Sequence, residues 1–197
     1  MNGQGFALPI DYLLRSRRRA LLSGGAVLSA GAVALLGGRH ALAAGTKPTA
    51  AQTEADARIL NTALGAEFEA VAAYQVGAES GLLSAPIKTV ALQFQGHHRE
   101  HADALAATLR KLGGQPVAAK ARYSFPLEQL KSQNDVLRFA AGLEKGAVAA
   151  YLGAGPLFAD PALAQVAASI LGDEAMHWGV LRQVLGESPV VPSAFMS

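Results

Sequence analysis

Apolar residues recur at steps of three and four along most of the chain, and this spacing predicts helices. The first such segment carries Leu60, Ala63, Val71 and Tyr74 on one face, and Glu67 falls on the same face. No stretch of useful length alternates apolar and polar residues as a half-buried strand would. The predicted fold class is therefore all-α.

Glycine and proline divide the helical pattern into four segments. Glycine suits the end of a helix, and proline suits the first turn of the next one. The predicted helices cover about residues 53–79, 86–112, 132–152 and 161–186. The long connection at 115–131 joins two helical hairpins, which is the layout of a four-helix bundle with one crossover. The bundle is predicted to span residues 54–188, after a linker at 44–53 and before an extended tail at 189–197.

Residues 1–43 resemble a twin-arginine (Tat) signal peptide. Arg17 and Arg18 precede a short apolar run interrupted by glycines, and Ala41-Leu42-Ala43 forms a small-residue cleavage site. An uncleaved N-terminal anchor is the alternative, but the run is short and weakly apolar for a membrane span. We therefore expect export by the Tat translocon to the periplasm, with no stable membrane anchor.

The basic character of the chain belongs to this N-terminal segment. Five of the 17 basic residues and one of the 15 acidic residues lie in it, so the remainder has 12 basic and 14 acidic residues and a formal charge of −2. This balance gives no indication of nucleic-acid binding. The remaining 154 residues are enough for one domain with a substantial core.

An internal repeat carries the polar residues. Two stretches are identical at six of eight positions: Glu67-Phe-Glu-Ala-Val-Ala-Ala-Tyr74 and Glu144-Lys-Gly-Ala-Val-Ala-Ala-Tyr151. About 30 residues beyond each glutamate lies a second polar cluster, which contains His97, His98 and His101 in the first half and Asp173, Glu174 and His177 in the second. The two halves can therefore close four helices around one polar centre with approximate twofold symmetry.

Glutamate and histidine on apolar helix faces predict a metal site, because an unpaired buried charge is costly and a cation offsets that cost. Glu174 and His177 are three residues apart, so both side chains can reach one ion from the same helix face. The chain has no cysteine, which leaves oxygen and nitrogen ligands. Such ligands suit iron or manganese, with zinc as a further candidate.

At this point the sequence resembles the ferritin-like superfamily, and within it bacterial proteins related to desiccation-related proteins. Three motifs carry the resemblance: Leu60-Asn61-x-Ala63-Leu64, Leu112-Gly-Gly-Gln-Pro-Val117 and Val191-Pro-Ser-Ala-Phe195. The resemblance implies a ferritin-like four-helix bundle with two ions per chain. It implies Glu67 and Glu144 as terminal ligands, Glu174 as a bridge and one nitrogen ligand each from His101 and His177. Asp173 would hold a ligand histidine from the opposite side.

His98 departs from the superfamily pattern, which usually has a second bridging carboxylate at this position. Three arrangements are compatible with it: a nitrogen-richer two-ion site, a site for one ion, or a site that has lost its metal. We predict His98 as a metal ligand and His97 as a residue behind the ligands. An alternative for His97 is a metal pair with His101, since the two are four residues apart. Tyr74 and Tyr151 are candidates for hydrogen bonds to the ligands, for radical carriers near the site, or for ordinary core tyrosines.

The superfamily resemblance implies redox work on O₂, hydrogen peroxide or metal ions, as a ferroxidase, a peroxidase or a catalase-like enzyme. A metal-free stress or structural protein with a degenerate site is the competing hypothesis, and His98 favours it. A haem bundle is disfavoured because the chain lacks a C-x-x-C-H motif. The absence of an obvious fifth helix disfavours a storage cage, and the alanine-rich exterior is compatible with a homodimer.

Overall fold

The computed structural model describes residues 47–192, which form four α-helices and no strand. The helices are α1 (Ala50–Glu79), α2 (Ala85–Lys111), α3 (Gln133–Ala154) and α4 (Pro161–Leu185), with short 3-10 turns at Leu127–Gln129 and Gly155–Leu157. The predicted all-α bundle of two hairpins with one long crossover is confirmed. The predicted signal peptide and the end of the predicted tail, residues 193–197, lie outside the described residues.

Helix α1 begins earlier than predicted. The Thr49 side chain accepts a hydrogen bond from the Gln52 backbone nitrogen at 3.3 Å, and the Gln52 side chain accepts one from the Thr49 nitrogen at 2.8 Å. This reciprocal pair is a capping box, which satisfies two backbone donors that a helix start otherwise leaves free. The helix therefore begins at Ala50, inside the segment predicted as a linker at 44–53, and the boundary is corrected accordingly.

Helix α4 is held at its start by a residue of α1. Asp56 is 1% exposed, and its two carboxylate oxygens accept hydrogen bonds from the backbone nitrogens of Ala159 at 2.9 Å and Asp160 at 3.1 Å. Asp160 in turn caps α4 by accepting from the Ala162 nitrogen at 2.8 Å. Asp56 therefore fixes the register between the first and the last helix.

The start of the crossover is fastened to α1 by Asn61. Its side-chain nitrogen donates to the Gln115 carbonyl at 2.9 Å, and its side-chain oxygen accepts from the Val117 nitrogen at 2.8 Å. Two of the motifs that carry the superfamily resemblance thus contact each other, because Asn61 belongs to one and Gln115 and Val117 to the other.

The apolar core is divided into two clusters by a polar layer. One cluster includes Leu60, Leu64, Leu105 and Leu109. The other includes residues from the opposite end of each helix, namely Tyr74, Phe94, Leu137, Trp178 and Leu181. Along every helix the buried glutamates and histidines fall between the residues of these two clusters. Within residues 47–192 no helix has an apolar stretch that is long enough to cross a bilayer.

Candidate metal centre

The six residues predicted as metal ligands meet in the polar layer. Helix α1 supplies Glu67, α3 supplies Glu144, and the other two helices supply two residues each, namely His98, His101, Glu174 and His177. All six are buried. They form two groups, within each of which one ligand atom per residue lies within 4.8 Å of the others. The first group contains Glu67, His98, His101 and Glu174, and the second contains His98, Glu144, Glu174 and His177.

Glu174 lies between the two ligand histidines. Its Oε1 is 3.0 Å from Nδ1 of His101, and its Oε2 is 3.3 Å from Nδ1 of His177. The side chain is fully buried, at 0% exposure. Each oxygen therefore faces one histidine, which is the placement that a bridging carboxylate requires.

The terminal glutamates flank this arrangement. Oε2 of Glu67 is 3.6 Å from Nδ1 of His101, and Oε2 of Glu144 is 3.6 Å from Nδ1 of His177. Each histidine thus turns Nδ1 toward Glu174 and toward one terminal glutamate. The site consists of two similar halves that share Glu174.

His98 occupies the position where the superfamily pattern has a second carboxylate. Its Nδ1 lies 2.8 Å from Oε2 of Glu67, and its Nε2 lies 3.3 Å from Oε1 of Glu144. Both ring nitrogens are therefore engaged by the two terminal glutamates. The side chain belongs to both groups of ligand atoms, but in this structure it acts as the link between the carboxylates.

The outer nitrogens of the ligand histidines are held by residues of the opposite half. Nε2 of His101 is 3.2 Å from Oδ2 of Asp173, and Nε2 of His177 is 2.8 Å from Nδ1 of His97. A ring that keeps this outward Nε2–H and gives up its Nδ1 proton presents the Nδ1 lone pair to the site, so a metal ion would bind there in place of that proton. Asp173 therefore contacts the ring nitrogen of His101 that faces away from the six candidate ligands.

His97 holds a ligand and does not join the ligand groups. Among the described residues neither group of ligand atoms includes His97, and its ring faces His177, so the structure gives no support to a metal pair of His97 with His101. Phe94 stacks on the His177 ring with centroids 4.1 Å apart. His177 is thus fixed both by a hydrogen bond and by packing.

Each of the two repeat tyrosines contacts the glutamate on the other tyrosine's helix. Tyr74 of α1 donates its hydroxyl hydrogen to Oε1 of Glu144 on α3. Tyr151 of α3 donates to Oε1 of Glu67 on α1 at 2.5 Å. Both rings are buried. Of the three roles considered for them, the structure shows hydrogen bonding to the carboxylates.

Burial and the nearby carboxylates have opposite effects on the pKa values of the histidines. Burial alone would lower the pKa of His98, but the hydrogen bonds to Glu144 and Glu67 raise the pKa to about 10. Burial opposes the charged form of His101 as well, and its contacts with Glu174 and Glu67 raise its pKa to about 10. The pKa of His177 is raised by Glu144 and Glu174 in the same way.

The glutamates and tyrosines respond to the same partners. Burial favours the neutral form of Glu67, but its histidine partners lower its pKa below the usual value. The pKa of Glu144 is lowered for the same reason by His177 and His98. Burial, and then the negative charge of the glutamate that each one contacts, raise the pKa of Tyr74 and of Tyr151. Both tyrosines are therefore hydrogen-bond donors at neutral pH.

Three buried polar atoms of this site have no hydrogen-bond partner among the residues that the structure describes: Nδ1 of His101, Oε2 of Glu144 and Oε1 of Glu174. Nδ1 of His101 and Oε1 of Glu174 lie 3.0 Å apart as an ion pair, outside the geometry of a hydrogen bond. Leaving a buried polar group without a hydrogen bond costs about 1–3 kcal/mol. The two carboxylate oxygens can accept a cation directly, and Nδ1 of His101 can do so once a metal ion displaces its proton, so the donor set fits metal ions that prefer oxygen and nitrogen ligands.

A groove that the sequence analysis did not identify runs along α1 and α3 to this centre. It encloses about 610 Å³, and its lining includes Glu67, His98, Glu144 and Tyr151. Alanine and glycine make up much of the rest of its lining. Asp56, the crossed tyrosine contacts and this groove are the features that sequence reasoning missed. The small residues of the two repeat stretches were the available signal for the groove.

The comparisons with known proteins agree with this architecture. A family model described as "Ferritin-like domain" matches residues 55–187. The solved structure of a conserved hypothetical protein, rv2844, from Mycobacterium tuberculosis is similar with a TM-score of 0.63 and 22% identity, over 73% of this chain and 99% of that one. No curated protein matches the sequence significantly.

Two further solved structures are similar to this chain. Ferritin-like, diiron-carboxylate proteins from Bacillus anthracis are similar with a TM-score of 0.59 and 20% identity, over 70% of this chain and 99% of theirs. A dodecameric thioferritin from Bacteroides fragilis has a TM-score of 0.60 and 23% identity, over 68% of this chain and 86% of that one. At these identities the similarity shows the fold, and it confirms the predicted ferritin-like bundle.

Proposed function

Because the chain belongs to the ferritin-like domain family and its polar layer gathers carboxylates and histidines, we propose that it is a metal-binding protein with a buried two-ion centre. One ion would be held by Glu67, His101 and Glu174. The other would be held by Glu144, His177 and the second oxygen of Glu174. Iron or manganese suits this donor set, and zinc is a further candidate.

The single observation that carries this proposal is that buried atoms without a hydrogen bond belong to the grouped glutamates and histidines. Among residues 47–192, Oε1 of Glu174, Oε2 of Glu144 and Nδ1 of His101 have no hydrogen-bond partner. His101 belongs to the first group, Glu144 to the second and Glu174 to both. A site built only for packing would leave these atoms at a cost in free energy. Cations between them would remove that cost.

We propose redox chemistry on a small oxidant as the activity of this centre, in the form of a ferroxidase, a peroxidase or a catalase-like enzyme. The ions would supply the electrons and polarise O₂ or peroxide. Neighbouring side chains would keep the metal ligands in position. Tyr151 and Tyr74 fix the orientation of Glu67 and Glu144, and Asp173 keeps Nδ1 of His101 directed at the site.

The experiment is an elemental analysis of the untagged protein isolated from its native source. About two equivalents of iron or manganese per chain are expected for two ligand groups of this kind, and turnover of O₂ and peroxide would then be measured. One equivalent would mean that His98 has converted the site to a single ion. No metal, and none taken up on reconstitution, would overturn the proposal.

A metal-free role is the second candidate, and His98 is the observation that favours it. Its ring nitrogens contact both Glu67 and Glu144, so its positive charge offsets theirs without an ion. His101 and His177 contact Glu174 and offset its negative charge in the same way. Thermal unfolding with and without EDTA separates the two candidates, because only a metal-bound protein is destabilised by the chelator.

We also propose that the protein works in the periplasm after export by the Tat translocon. Arg17 and Arg18 ahead of a short apolar run, and the Ala41-Leu42-Ala43 cleavage site, support this location. Replacing both arginines by lysine is expected to retain the unprocessed chain in the cytoplasm. Processing and export of that variant at the normal level would overturn the proposal.

A further inference from the structure

The groove between α1 and α3 has small residues on both walls. Ala63, Ala66 and Ala70 line it on α1, and Gly142, Gly146 and Ala150 line it on α3. These residues recur at helical spacing, so they form one face of each helix. The result is an open space of about 610 Å³ beside α1 and α3.

The glycines of α3 are not required by contact between the helices. A Cβ atom added at Gly142 or at Gly146 would meet no atom within 4 Å. At Gly77, by contrast, an added Cβ would lie 3.2 Å from Cγ1 of Val136, so the same two helices approach closely at that end. Glycine inside a helix costs about 1 kcal/mol relative to alanine. At Gly142 and Gly146 it leaves space beside the helix.

The inner end of the groove is polar and reaches the metal-ligand residues. Glu67, His98 and Glu144 contribute to its lining. Glu144 is 1% exposed, and its Oε2 has no hydrogen-bond partner within residues 47–192. A mostly apolar space of roughly 300–1,000 Å³ that ends at a few polar groups is the usual form of a small-molecule site.

We infer that this groove binds an elongated apolar organic molecule and presents one end of it to the centre at Glu144. The inference rests on the proposed function, because it names the substrate class of the same site. The lining is mostly apolar side chains and backbone, with the exposed carboxylate of Glu69 as its charged outer member. It therefore suits a neutral hydrocarbon chain or an aromatic ring, and it does not favour an anionic chain. The ligand end at Glu144 is the part that the centre would act on.

The test uses a variant that fills the groove and a matched variant that does not. Gly146→Leu places a larger side chain in the open space. Gly179→Leu on α4 makes the same change at a glycine whose added Cβ also meets nothing within 4 Å and which does not line the groove. Both changes raise helix propensity, so both variants are expected to fold.

The probe is N-phenylnaphthylamine, a neutral apolar fluorophore, with dodecanol as the competitor. Gly146→Leu is expected to weaken probe binding by about tenfold or more, because it removes the volume that an apolar ligand needs. Gly179→Leu is expected to leave probe binding unchanged. Equal binding to Gly146→Leu and to the unaltered protein would overturn the inference.

Parallel measurements distinguish this inference from the proposed function. Normal metal content without probe binding would overturn the inference and leave the metal centre in place. Probe binding that Gly146→Leu abolishes, in a protein that takes up no metal, would overturn the proposed function and support the groove as a ligand site. A loss of self-association in Gly146→Leu, measured by sedimentation, would show that a second copy covers the groove and would overturn the inference.

Discussion

The hydroxyl of Tyr151 on α3 lies 2.5 Å from Oε1 of Glu67 on α1, and the two residues are 84 positions apart in the sequence. Tyr74, seven residues beyond Glu67 on the same helix, contacts Glu144 instead. Each half of the repeat thus supplies the glutamate that the tyrosine of the other half contacts. The centre therefore forms only when both hairpins are packed together.

Removing either tyrosine hydroxyl should destabilise the metal-free protein. Tyr151→Phe leaves a buried carboxylate without its donor, and hydrogen bonds to charged groups contribute about 1.5–3 kcal/mol. Tyr74→Phe should have a similar effect through Glu144. Urea unfolding in EDTA measures both. Tyr123→Phe is the control, since its hydroxyl contacts only the backbone nitrogen of Lys120 in the crossover. Equal stability of all three variants would contradict the expectation.

Loss of Glu174 should remove both ions together. Glu174→Gln keeps the size of the side chain but removes its negative charge from both groups of ligand atoms. We therefore expect metal content to fall for both positions, measured by elemental analysis after reconstitution. Glu100→Gln is the matched control, because Glu100 is exposed on α2. Unchanged metal content in Glu174→Gln would show that this residue is not the shared ligand.

Restoring the superfamily carboxylate at position 98 should lower the stability of the metal-free protein and raise its affinity for metal ions. His98→Glu replaces the cation between Glu67 and Glu144 by a fourth carboxylate, and removing one partner of a buried ion pair costs about 3–5 kcal/mol. Four carboxylates also balance the charge of two divalent ions. Unfolding in EDTA should therefore show a loss of stability, and Mn²⁺ should stabilise the variant more than the unaltered protein.

The control for this change is His98→Gln, which removes the imidazole without adding negative charge. It should lose stability in EDTA, and Mn²⁺ should stabilise it less than it stabilises His98→Glu. If His98→Glu behaves like His98→Gln with Mn²⁺, the side chain at position 98 does not face the ions.

The metal-free protein should lose stability as the pH rises above neutral. The pKa values of His98 and His101 are about 10 in the folded chain, against about 6.5 in an unfolded chain. Protonation therefore stabilises the fold fully below about pH 6.5, and this contribution is lost as the pH approaches 10. Thermal unfolding in EDTA from pH 6 to 10 measures the slope. His98→Gln should show a smaller slope, and a flat profile of the unaltered protein would contradict the assignment.

Much of the fold and of the candidate site could be predicted from the sequence. Helical spacing and the breaks at glycine and proline gave four helices, since these signals are local. Glu67, Glu144 and the histidines stood out because a repeat marked them as a set. Asp56 carried no such mark: its role depends on backbone donors of Ala159 and Asp160 more than 100 residues away.

The partners of Tyr74, Tyr151 and His97 could not be predicted for a related reason. Which side chains meet across a bundle depends on how each helix is rotated about its axis. The spacing of His97 and His101 suits a metal pair, yet the packing of α2 against α4 turns His97 toward His177. The groove also depends on the distance between α1 and α3, and local sequence patterns do not predict that distance.

The residues behind the two ligand histidines make the ends of the centre unequal. A carboxylate, that of Asp173, backs His101, whereas an imidazole, that of His97, backs His177. A carboxylate makes the other nitrogen of its histidine a stronger donor to a metal. The position at His101 should therefore fill first and release its ion last. The ion at His101 would stay bound while the ion at His177 exchanges. The two ions would therefore bind and leave one at a time, although the four helices are arranged with approximate twofold symmetry.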